Sequence, residues 1–79
     1  MDLSQIYRHF KGGRYRALMT ATNSENREET LVIYISLDHG TVWARPTQMW
    51  AEETDRWPDG VRRPRFVPET VEIAALFSQ

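Results

Sequence analysis

The sequence predicts a mainly β fold, and three observations predict it. Short apolar runs alternate with turn signals along the chain. The runs are rich in Val, Ile, Thr, Tyr and Trp, side chains that fit a pleated, half-buried surface. Within them residues alternate with a period of two, as they must where successive side chains point to opposite faces.

The first block, Gln5 to Gly13, sets Ile6, Arg8 and Phe10 on one face and Tyr7, His9 and Lys11 on the other. Gly12-Gly13 ends it, because glycine accepts positive φ cheaply. Arg14 to Thr22 reads as a strand with Tyr15, Ala17, Met19 and Ala21 pointing inward. Asn23-Ser24-Glu25-Asn26 is a turn, and Arg27-Glu28-Glu29 continues it as a solvated loop. Thr30 to Leu37 is the strongest strand, with Leu31, Ile33, Ile35 and Leu37 as its inward face. Asp38-His39-Gly40 turns the chain. Thr41 to Arg45 is a short strand with Val42 inward, stopped at Pro46, which cannot donate to a ladder. Pro46 to Trp50 fits one turn of 3₁₀ helix. Trp50 to Arg56 and Val61 to Phe66 read as paired strands about the turn Trp57-Pro58-Asp59-Gly60. Pro68 to Phe77 reads as a short helix, with acids in its first turn. About five strands with short turns and a late 3₁₀ turn describe a small, partly open SH3-like barrel over residues 1–66, with a tail, 67–79, packed on the barrel or on a partner.

Seventy-nine residues make one domain with a thin core. Without cysteine, disulfides and thiolate metal sites are excluded. No apolar run approaches the roughly 20 residues that span a membrane. Met1-Asp2-Leu3-Ser4-Gln5 lacks the basic and apolar regions of a leader. A cytoplasmic location and no membrane partner are the expectation. The net charge of −1 gives weak average attraction to nucleic acid. Of the ten basic residues all but Lys11 are arginine, which makes planar contacts lysine cannot. Codon bias in a GC-rich genome would produce the same ratio.

Tyr7-Arg8-His9-Phe10-Lys11-Gly12 followed by Tyr15, the strand Leu31-Val32-Ile33-Tyr34, the run Trp43-Ala44-Arg45-Pro46-Thr47-Gln48-Met49-Trp50 and the close Pro64-Arg65-Phe66 form a recurring signature. In these the chain resembles a small bacterial family known only as a domain of unknown function, DUF1653. The match covers roughly residues 6–66; the Asp38-His39-Gly40 turn is shorter than the family's, and the tail after Phe66 is peculiar to this chain. The resemblance implies a compact SH3-like β fold and no particular activity.

Two surfaces are candidates for binding. Trp43, Arg45, Pro46, Met49 and Trp50, with Tyr7, make an aromatic and arginine surface of the kind that binds an extended peptide beside a 3₁₀ turn. The competing reading places the tryptophans in the core, where a small fold gains apolar area. Arg8, Lys11, Arg14, Arg62, Arg63 and Arg65, interleaved with aromatics, suit nucleic acid, because rings stack on bases while cations hold phosphates. Against this, cross-strand pairing of Glu53 or Asp55 with Arg62 or Arg63 is an ordinary use of the same residues. A small-ligand pocket beside Tyr7 and Trp43 is a third option. The partner expected first is an unidentified protein or peptide. The tail's Val71, Ile73, Leu76 and Phe77 make a homodimer the alternative to a monomer.

No catalytic residue is assigned. His9 and His39 have no HxH or HxxxH spacing for a metal. Ser4, Ser24, Ser36 and Ser78 lack a nucleophile context, and Glu52 and Glu53 point to opposite faces of a strand. No cofactor or metal is expected, and a binding module is favoured over an enzyme.

Overall fold

The computed structural model of the chain describes residues 5–78. Met1 to Ser4, where the leader features were sought, and Gln79, the last residue of the tail, lie outside the described residues. Seven strands and two short helices are present among the described residues: β1 (Ile6–His9), β2 (Arg14–Asn23), β3 (Asn26–Ser36), β4 (Val42–Pro46), α1 (Thr47–Trp50), β5 (Glu53–Thr54), β6 (Arg63–Pro64), β7 (Phe66–Pro68) and α2 (Val71–Ala75). Five strands form an antiparallel sheet in the order β4-β3-β2-β1-β7, and β5 and β6 pair separately. The sheet does not close, so the fold is the small, mainly β, partly open type expected.

Burial selects one face of each strand. Tyr7 of β1, Ala17 of β2, Val32 and Tyr34 of β3, Trp50 of α1 and Phe66 of β7 make the main core, with Tyr15 packed against it. The rings interlock: Trp50 stacks on Phe66 at 4.0 Å, and Tyr34 meets Trp50 edge-on at 5.0 Å. Edge-to-face and offset contacts add to the area that aromatic rings bury.

The inward face expected for β3 is the wrong one. Leu31, Ile33 and Ile35 are half-buried and Leu37 is exposed, while Val32, Tyr34 and Ser36 are buried. Both faces of β3 carry apolar residues, so alternation cannot choose between them. The choice is made by Trp50 and Phe66, which pack against Tyr34. In β2 the register shifts between Ala17 and Met19. An extra residue in one strand turns the residues beyond it to the other face. Met19 is therefore exposed, opposite Ile33, where the regular pattern puts it inside. Val42, also expected inside, pairs with Ile35 on the same outer face and is exposed.

Several boundaries also differ. The strand expected from Val61 to Phe66 is divided between β6 and β7, and the helix expected from Pro68 to Phe77 covers only Val71–Ala75, because Phe66 to Pro68 pair with β1. Arg27-Glu28-Glu29 belongs to β3, which starts at Asn26, because the hairpin needs only Ser24 and Glu25 at its tip. The turn expected over Pro46 to Trp50 is a short α-helix, Thr47–Trp50, with Pro46 as its N-cap residue. The strand expected from Trp50 to Arg56 shrinks to Glu53–Thr54, since Trp50 is held in the core by its rings.

A second cluster joins Phe10, Trp57 and Ile73, with Val67, Leu76 and Phe77 against it. Thr70 caps α2 by accepting a hydrogen bond from the Ile73 N–H at 3.1 Å. Acceptors at this position satisfy one of the free amides of a helix start. Trp57 donates its Nε1–H to the Pro64 carbonyl at 3.1 Å, and Gly60, at φ +74°, closes the turn after it. Among the described residues no helix is long and apolar enough to cross a membrane.

Candidate functional site: a basic and aromatic pocket

The main sheet presents a pocket of about 500 Å³ on its core side. Alternation along the strands builds it. Trp43 and Arg45 project from β4 on the same face, two residues apart, and sit opposite Tyr34 and Val32 of β3. Tyr15 of β2, Tyr34 of β3 and Phe66 of β7 line the floor with His9 of β1. The wall facing them comes from the loop after β1, with Lys11, and from the residues after β5, with Arg56. Arg65 completes it.

The cations lie against rings. The Arg45 guanidinium is 5.4 Å from the Phe66 ring centre, and its Nε–H donates to the Tyr34 hydroxyl at 3.3 Å. Lys11 and Arg56 flank the Phe10 ring at 5.9 and 5.6 Å. Such contacts position a cation without neutralising it. Among the described residues no carboxylate lines the pocket. Beside it Glu52 lies 2.7 Å from Arg65 Nη2, and Asp38 is within electrostatic reach of Tyr15. Arg65 Nε–H is buried with no acceptor among the described residues.

The field of these cations shows at His9. Burial first, then Arg45, Lys11 and Arg65, push its pKa down to about 4. At neutral pH the ring is uncharged. Its Nδ1 accepts a hydrogen bond from the Lys11 N–H at 3.1 Å, which leaves the proton on Nε2. The Tyr15 hydroxyl is pushed above its ordinary pKa, mainly by burial.

The candidates named from the sequence divide sharply. Trp43 and Arg45 from the first set, and Lys11 and Arg65 from the second, meet at this pocket. Tyr7 and Trp50 do not: both are 5% exposed, locked edge-on at 5.2 Å in the core, so neither can touch a ligand. Met49 is exposed away from the pocket, and Pro46 lines a separate cleft with Glu28 and Glu29. Arg8 and Arg14 lie on the other side of β1 and β2, both bound to Glu69, at 2.6 and 3.1 Å. Arg62 pairs with Glu53 and Arg63 with Asp59, which the arginine holds at a pKa of about 2. His9, Tyr15, Tyr34 and Arg56 were not among the sequence candidates. The i, i+2 spacing from Tyr34 to Ser36 and from Trp43 to Arg45 carries a signal for one strand at a time, whereas Arg56 arrives from the loop after β5, which no local pattern connects to β4.

Among the described residues no group of three or more His, Cys, Asp or Glu side chains is placed to hold a metal ion.

Comparisons with known proteins give a family and a fold. The family model described as "Protein of unknown function (DUF1653)" matches residues 5–68. A crystal structure of a DUF1653 protein from Bordetella bronchiseptica is similar, with a TM-score of 0.70 and 29% identity over 89% of this chain and 92% of that one. A search of curated proteins found no match.

Proposed function

We propose, for a chain that belongs to the DUF1653 family and so to one of unknown function, that it is a binding module for anions, with the pocket beside β4 as its site. One observation carries the reading. Outside the pocket Arg8, Arg14, Arg62 and Arg63 are each neutralised by a carboxylate. Inside it Lys11, Arg45 and Arg56 have no carboxylate partner among the described residues, and only Arg65 is paired, with Glu52. Arg16 and Arg27 also lack such a partner, but they are spread over the outer face and the β2–β3 hairpin. Concentrated cations against low-dielectric walls focus field and attract anions even where net charge is near zero. An extended peptide along Trp43 to Trp50 is less supported, because Trp50 is in the core and Pro46 and Met49 lie off the pocket.

Tripolyphosphate titrated at low salt tests this by amide chemical shifts. The expected result is saturable shifts centred on Lys11, Arg45 and Arg56, lost when Lys11 and Arg45 are both replaced by alanine and kept in Arg62→Ala. Shifts scattered over all the arginines, or none, would defeat the proposal.

A further inference from the structure

Resting on that reading, we infer that the anion is the phosphate of a nucleotide unit whose base stacks on Trp43. Trp43 is the odd ring of the pocket. His9, Phe10, Tyr15, Tyr34 and Phe66 all contact other rings and form a built wall. Trp43 is 52% exposed, and among the described residues its indole meets no ring and no cation and its Nε1–H finds no acceptor. A tryptophan with one face free beside unpaired cations is the arrangement that binds a base and its phosphate together.

The spacing is suitable. Arg45 follows Trp43 by two residues on one strand face, about 6.6 Å along the chain. A planar base on the indole would set its phosphate near the Arg45 guanidinium, with Lys11 and Arg56 across the pocket. Thr41, exposed at the same pocket, can meet the edge of a base with its hydroxyl. The volume, about 500 Å³, is that of a small-ligand site and cannot admit a duplex. The base must come from a single strand or a free nucleotide. An acidic peptide would satisfy the cations and leave Trp43 bare.

Tryptophan fluorescence reads the site directly, because Trp50 and Trp57 are buried and Trp43 is not. The full chain would be titrated at low salt with a 5′-mononucleotide, a single-stranded hexanucleotide, a duplex of the same sequence, polyglutamate and tripolyphosphate. The expected result is quenching by the mononucleotide or the hexamer and weaker binding of the duplex and polyglutamate. A hexamer that binds more tightly than the mononucleotide identifies a strand; equal affinities identify a free nucleotide. Followed by the amide chemical shifts of Lys11, Arg45 and Arg56, since the variant lacks the reporting indole, Trp43→Ala should weaken binding about fivefold to 150-fold, the range that about 1–3 kcal/mol of stacking corresponds to. Trp43→Phe should retain part of it. For a strand, three phosphate contacts give a log–log salt slope of about −2. If tripolyphosphate and polyglutamate bind as well as the nucleotides and Trp43→Ala changes nothing, the nucleotide inference falls and the anion site stands. If none of these probes binds, both fall.

Discussion

His9 shows how one residue reports on the pocket around it. Its pKa is lowered by burial and by Arg45, Lys11 and Arg65, from 6.5 to about 4. Between those values the unfolded chain binds a proton that the folded chain does not. Stability is therefore complete above about pH 6.5 and falls as pH drops toward 4. Glu69 acts lower down. Arg8, then Arg14, hold it below its ordinary 4.5, so its contribution is lost only as pH falls beneath that value. Urea midpoints across this range should decline between pH 6.5 and 4 in the native chain and stay flatter in His9→Gln. Equal slopes would mean that His9 is not the titrating group. An anion seated among Arg45, Lys11 and Arg65 would offset their field, so His9 should titrate higher with ligand than without, by NMR. At this scale the sequence was half legible. Trp43 and Arg45 announce themselves by residue type and spacing, but so do Tyr7 and Trp50, which are core. Residue type alone cannot separate an indole that fills the interior from one that borders a pocket; the sheet face decides.

Strands β2 and β3 show where patterning succeeds and where it stops. Their existence, antiparallel pairing and the turn at Trp57 to Gly60 are dictated by β-favouring runs and turn residues. The buried face of β3 is not, because Leu31, Ile33 and Ile35 alternate with Val32 and Tyr34 and both sets are apolar. The irregularity at Leu18 has no local signature either, yet it moves Met19 to the outside. Register is the property at stake, since a slip of one residue exchanges the two faces. Threonine substitution distinguishes them. Val32, at 0% exposure, has no room for a solvated hydroxyl, and Val32→Thr should cost about 1–3 kcal/mol. Ile33→Thr on the half-buried outer face should cost less, since the hydroxyl can reach water. Denaturant midpoints in which Ile33→Thr is the more damaging would mean that the outer face is covered in solution.

The molecule as a whole is held by two small cores, and the second depends on the tail. The first joins the sheet through Tyr7, Tyr34, Trp50 and Phe66. The second draws Phe10, Trp57 and Ile73 together, with Phe77, just beyond α2, covering Gly12 as well. Gly12 sits at φ +102°, and a Cβ there would lie 3.2 Å from the Phe77 ring, so the loop and the tail fit each other closely. Phe10 also carries Lys11 and Arg56 on its ring, which links the tail to the wall of the pocket. Val71, 84% exposed, stays outside this arrangement. A chain ended after Thr70 keeps Glu69 but loses Ile73, Leu76 and Phe77. Truncating Ile73 alone to alanine would cost about 2–5 kcal/mol if its burial is typical of a core. A core of this size supplies only about 3–5 kcal/mol in total. The shortened chain should therefore melt well below the full one, with Trp57 emission shifted to the red, and the fraction still folded should bind anions more weakly. Its mass in solution should match that of the full chain less the removed residues. A fall from dimer to monomer would instead assign the tail to a second copy, and an unchanged melting temperature would show that the second core adds nothing.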